Sequence, residues 1–194
     1  QNSNISIIPY LSNNLSSKNK ATTNNDFKVG GDLKYSLTSA LNLDVTVNPD
    51  FSQSEVDQQV TNLDRFELFF PERRQFFLEN ADLFSNYGYS SIRPFFSRRI
   101  GLNVPIQAGV RLSGNLDENW RIGLMSIQTR KDEELNVAAE NFGVFTLQRK
   151  VFDRSDISAI FVNKQALGLN ENQNNASEYN RNIGLEYNYF SADN

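Results

Sequence analysis

Carboxylates and guanidinium groups bound the chemistry open to this chain, because its 194 residues include no His and no Cys. The first absence removes the commonest general base and the usual zinc ligand. The second removes disulfides, thiolate metal sites and cysteine nucleophiles. The densest charged run is "RFELFFPERRQFFLE", residues 65–79, in which Glu67, Glu72 and Glu79 stand among Arg65, Arg73 and Arg74. A glycosidase pair needs two carboxylates about 5–10 Å apart, one of them with a raised pKa. Arg neighbours act the other way and hold carboxyls ionised. The run therefore reads as a cluster of internally paired charges, and no catalytic residue is assigned. Asp50, Glu55 and Asp57 in "NPDFSQSEVD" are oxygen donors, but their spacing departs from the calcium-binding loop and the central Gly is missing. A helix start capped by Ser52 or Ser54 before Glu55 accounts for them, so neither metal nor cofactor is expected. Arg98 and Arg99, with Arg93 nearby, form a small basic set. It suits anionic sugars or lipid phosphate, or internal pairing with the acids of 50–82.

The same run holds Phe66, Phe69, Phe70, Phe76 and Phe77. It has too many charges for a buried strand and too much aromatic surface for a solvated loop. The net charge of −4, with basic residues in no long run, excludes a nucleic-acid partner. No apolar stretch is long enough for a transmembrane helix. The start, "QNSNISIIPY", lacks the basic and apolar regions of a signal peptide, as a mature or excised segment would.

The elements that would position these groups are strands. Phe and Tyr together number 22, a mixture that favours β-structure. In "FKVGGDLKYS", Phe27, Val29, Leu33 and Tyr35 alternate with Lys28, Asp32, Lys34 and Ser36; "LNLDVTVN", "QAGVRLS" and "NIGLEYNY" alternate as cleanly. Stretches 119–130, 140–151 and 156–165 are β-rich but blurred, as bulges or interfacial residues would cause. Eight strands are expected near 4–12, 26–37, 40–49, 105–114, 119–130, 140–151, 156–165 and 179–190. Most match the roughly nine to eleven residues of a tilted membrane-crossing strand. Tight turns at "LTSA", "GNLDEN" and "VFDRSD" alternate with long links at 13–25, 50–104, 131–139 and 166–178. Outer-membrane barrels show that asymmetry; a half-exposed soluble sheet shares the alternation but not the loop pattern. Lys28, Asp32, Lys34, Asp44, Arg111 and Glu186 would face a wet lumen.

Within the 50–104 insert, helical spacing runs from Val56 through Val60, Leu63 and Phe66 to Phe70, where Pro71 ends it. "RRQFFLENADLF" suggests a second short helix and "PFFSRRIG" an extended return. The insert folds into a lumen, forms an external cap with its own small core, or presents a partner-binding surface. An eight-stranded barrel is filled by its own side chains, so a lumenal insert requires more strands than these eight.

"NPDFSQ" at 48–53, "RFELFFPERRQFFLE" at 65–79 and "SRRIG" at 97–101 resemble the domain-of-unknown-function family 5916. The resemblance implies outer-membrane β-barrel proteins of Gram-negative bacteria, whose longer members place a module similar to a family-nine carbohydrate-binding domain before the barrel. It brings no catalytic residues. The fold class expected is thus all-β: an antiparallel up-and-down transmembrane barrel segment spanning 1–194, with a partly helical insert between its third and fourth strands. The expected function is a pore or uptake component for small polar solutes or glycans, with the insert as constriction. A sealed anchor for a carbohydrate-binding domain, or a soluble carbohydrate-active β-domain, are the alternatives. Expected partners are outer-membrane lipid, a glycan or small solute, and an outer-membrane protein complex.

Overall fold

The computed structural model describes residues 4–18, 22–49, 71–88, 93–101, 104–132, 137–168 and 178–190. Eight strands form one antiparallel up-and-down sheet in sequential order: β1 (Ile5–Lys18), β2 (Thr22–Ser36), β3 (Leu41–Val47), β4 (Ile106–Asn115), β5 (Trp120–Thr129), β6 (Ala139–Val151), β7 (Ser155–Leu167) and β8 (Tyr179–Asn188). Each strand pairs with its neighbours in sequence, and the sheet is open between β1 and β8. Two single-turn helices, α1 (Gln75–Leu78) and α2 (Asp82–Ser85), and a 3₁₀ turn at Ser97–Arg99 lie between β3 and β4.

All eight expected strands form, with three departures. The expected long link at 13–25 is mostly strand, since β1 reaches Lys18 and β2 begins at Thr22. Its Asn/Ser-rich sequence has no apolar alternation to announce it, yet the β1–β2 register runs on unbroken to Lys18 and Thr22. Of the two explanations for the blurred alternation in 119–130, 140–151 and 156–165, bulges are removed, because the register of β5 through β8 is unbroken. The single irregularity falls instead between Ile106 and Ala108 at the start of β4. Finally, the extended return expected at "PFFSRRIG" contains the 3₁₀ turn. The helix expected over 56–70 lies outside the described residues.

The two faces of the sheet differ sharply. Register joins Ile5, Tyr35, Leu43, Leu112, Leu124, Phe145, Phe161 and Ile183 in one row across all eight strands. This outer face is apolar and exposed, with Ile183 and Leu185 about four-fifths accessible. The inner face bears Lys34, Asp44 and Arg111 on neighbouring strands in register, and on β5 to β7 the buried Met125, Ile127, Val144, Ile160 and Val162. Those apolar residues on a second face are what blurs the alternation. The core they build is completed by the insert, through Phe77, Leu83, Phe84, Tyr87, Phe95 and Ile100.

Candidate functional site

The insert docks on the inner face. Its polar anchor is Arg111, a β4 residue only 1 % exposed. Arg111 Nη2 donates to Asp44 Oδ2 on β3 at 2.7 Å, and Nη1 donates to the backbone carbonyl of Glu79 at 2.8 Å. The Glu79 carboxylate accepts from Lys34 Nζ on β2 and from Asn42 Nδ2 on β3. One turn of the insert is thereby tied to three adjacent strands. Further along, Asn80 Nδ2 donates to Ser113 Oγ on β4, and Arg121 on β5 pairs with Asp82 at 2.7 Å. The Tyr87 hydroxyl donates to the Ala159 carbonyl on β7, and the Gly88 N–H donates to Glu186 on β8. With Phe84 and Thr146 of β6 both close over Gly123, residues 79–88 address seven strands, which in a flat sheet would span about 29 Å.

Aromatic rings supply the apolar half of the contact, and glycines make room for them. A Cβ at Gly109 would stand 3.1 Å from the Phe76 ring. At Gly123 it would stand 2.8 Å from Phe84 and 2.5 Å from Thr146 Oγ1. A strand interior gives up side-chain packing at glycine, and close approach of another group is the usual reason. Phe76 also lies beneath the Arg111 guanidinium, 5.4 Å from its carbon, and edge-on to Phe77.

Arg74 stitches the outgoing leg of the insert to its return. It is buried over the Phe77 ring, pairs with Glu72 at 2.8 Å, and donates to the carbonyls of Ser97 and Ile100. Ser97 Oγ donates to the same Glu72 carboxylate. The 3₁₀ turn presents those two carbonyls to one guanidinium, which a straight return would not do.

Burial works to raise the Glu72 carboxyl, but Arg74 and Ser97 outweigh it and hold the group below its ordinary value. At Glu79 burial is likewise outweighed, here by Lys34, then Asn42 and Arg111, so that pKa is also lowered. Burial and the nearby Glu186 and Asp156 push the Tyr87 phenol up to about 12. Two carboxylates held ionised and a phenol held neutral are structural settings; none is poised to exchange protons at neutral pH. They do set a pH limit. With folded pKa values below the ordinary 4.5, the contribution of these acids is full above that value and is lost as pH falls through the lowered ones. Hydrogen exchange of the 71–88 amides, referred to the intrinsic exchange rate at each pH, should therefore stay slow from neutrality down to mild acid and accelerate only below pH 4.5. A loss of protection centred near neutrality would contradict this assignment.

Of the residues singled out from sequence, Glu72, Arg74, Glu79, Phe76 and Phe77 come together in this docked segment, while Arg73 is exposed beside them. Arg98 and Arg99 sit in the 3₁₀ turn. Arg65, Glu67, Phe66, Phe69 and Phe70 lie outside the described residues, as do Asp50, Glu55 and Asp57. Sequence reasoning missed the sheet's receiving groups: Gly109 and Gly123 as ring seats, and Arg121 and Ser113 as polar partners. Interior strand glycines were the available signal. Among the described residues no group of three or more acids is placed to hold a metal.

An open antiparallel sheet with one exposed apolar face, and a charged, aromatic insert docked on the other, is the class of protein this geometry defines. The chain belongs to the family described as a domain of unknown function, DUF5916, which matches residues 3–122 and so takes in β1 to the start of β5 with the whole insert. No curated protein and no solved structure matches the chain.

Proposed function

We propose that the chain is the membrane-spanning part of an outer-membrane β-barrel, in which lipid covers the outer face and the docked insert constricts a polar lumen for small solutes or glycans. The observation that supports this best is the slope of the outer apolar belt. On β1 the belt runs from Ile5 through Ile7 and Leu11 to Leu15; on β8 it runs from Ile183 through Leu185 and Tyr187 to Tyr189. Relative to the register row that joins Ile5 to Ile183, its centre lies about five residues toward the long links on β1 and about three toward the tight turns on β8. The intermediate strands step between these limits. At about 3.3 Å per residue and about 4.8 Å per strand, eight residues over seven pairings is a tilt of about 38°. Strands of membrane barrels tilt by about 35–45° to the axis, and a lipid belt perpendicular to that axis slopes across the register in this way. Tyr35, Trp120, Tyr187 and Tyr189 sit at the belt's tight-turn margin, where an aromatic girdle meets the headgroups. The Arg149 guanidinium covers Trp120, 5.1 Å from its ring, with its charge free to reach the interface.

A sealed anchor is the second reading, favoured by the ties between the insert and seven strands. Single-channel conductance of the full-length protein, with and without residues 54–92, separates the two. Insertion is verified beforehand on these 194 residues alone, in which Trp120 is the only Trp and its fluorescence should be quenched most by lipids brominated near the headgroup. Conductance steps that appear or enlarge on deletion are the expected result. Silence in both inserted forms would leave the anchor, and an unquenched Trp120 would remove the lipid-facing belt altogether.

A further inference from the structure

Between α2 and the tight-turn ends of β6, β7 and β8 lies a cavity of about 300 Å³ that neither the docking contacts nor the constriction requires. Its floor is Leu83, Tyr87 and Ser158, all buried. Its mouth is formed by the exposed Asn86 and Phe190 beside the half-exposed Asp82. We propose that this cavity is a binding site for a neutral, hydroxyl-rich molecule the size of a single sugar ring.

The wall is made of preoriented acceptors and donors. Gln148 is fixed at both ends of its amide: its Oε1 accepts from Arg121 at 3.0 Å, and its Nε2 donates to Asp156 Oδ1 at 3.1 Å. Asn188 Nδ2 is shared between Asp156 and Glu186. Asp156 thus accepts two bonds, and a carboxylate has about four acceptor sites, so it retains capacity toward the cavity. Hydroxyl groups both donate to carboxylates and accept from amides, which this mixed wall asks of one ligand. Asp82, Asp156 and Glu186 repel anions. Arg121 compensates Asp82, while Asp156 and the neighbouring Glu186 are held by the neutral amides of Gln148 and Asn188, so a cationic probe is the direct competitor to a neutral ligand here. Phe190 gives the mouth an apolar ring edge or face for carbon-bound hydrogens. The volume is at the lower end of the ~300–1,000 Å³ of small-molecule sites, which fits one ring and not a chain. The site stands even where the lumen is sealed.

The test is saturation-transfer NMR on the full-length protein folded in detergent micelles, with a panel of neutral monosaccharides and with ethylammonium as a cationic probe. At least one monosaccharide should bind saturably in the millimolar range, and both Asn86→Ala and Phe190→Ala should weaken it about tenfold, the loss of one contact. Both positions are exposed, so these variants keep the fold. No saturable monosaccharide, binding indifferent to both variants, or a preference for ethylammonium would each overturn the proposal. Micelles demand no conducting lumen, so a failure here and a failure of the constriction reading are told apart.

Discussion

Arg111→Met should release the insert while leaving the strands paired. The guanidinium is held by Asp44 and the Glu79 carbonyl in a position with 1 % exposure. Removing one partner of such a pair leaves a carboxylate desolvated and uncompensated, at a cost of about 3–5 kcal/mol. Methionine also withdraws the cation above Phe76. The strands keep their backbone ladder, so far-UV dichroism should change little. Trypsin cleavage next to Arg73 and Arg74 should rise by about two orders of magnitude or more if cleavage follows the population of the open form. Arg111→Met with Asp44→Leu is the informative partner variant. It takes away the stranded charge, and apolar replacement of a whole buried pair is often nearly neutral, so most of the protection should return. Equal cleavage in both variants would mean that Arg111 acts through packing on Phe76 and that its charge is incidental.

This arrangement explains which parts of the molecule were readable from residues alone. Leu41, Leu43, Val45 and Val47 alternate with polar neighbours because one face of β3 meets the outer environment and the other meets charges. A period of two survives wherever the faces differ in that way. It fails at β5 to β7, because Met125, Val144 and Ile160 face inward to receive Phe77, Leu83 and Phe84. The same positions that obscured the strands mark where the insert docks, and a second apolar face is therefore better read as a binding surface than as a bulge. Lys34, Asp44 and Arg111 were legible as inner-face residues, but their shared partner was not. Glu79 is 45 positions from Lys34, and no local spacing joins the two. The expectation that Arg neighbours would hold Glu72 and Glu79 ionised is met locally by Arg74 at Glu72; at Glu79 the foremost partner is Lys34. The strand ends before Lys18 and after Thr22 were invisible for a simpler reason, since Asn is depleted in strands and both Asn and Ser favour turns, so the stretch reads as a loop until pairing overrides it.

The docking position itself rests on Gly123, and a double-mutant cycle with Phe84 tests it. In Gly123→Ala the new methyl would stand 2.8 Å from Phe84 Cζ and 2.5 Å from Thr146 Oγ1, both below any ordinary contact. Phe84 and Thr146 are buried and cannot yield freely, so overpacking should cost about 1–3 kcal/mol. Phe84→Ala alone should cost about 3–5 kcal/mol from the lost ring and its cavity. Once the ring is gone the methyl has space, and the double variant should be little worse than Phe84→Ala. The coupling is then most of the Gly123→Ala cost, read from chemical denaturation in micelles. Gly143 is the control: on the outer face, its nearest neighbour would be Asn163 O at 3.9 Å, so Gly143→Ala should be neutral or mildly stabilising. Simple additivity at Gly123 and Phe84 would mean that the ring does not rest on β5. A coupled seat at Gly123, beside the Phe76 seat at Gly109 and unlike Gly143 on the opposite face, fixes where the insert lies along the sheet.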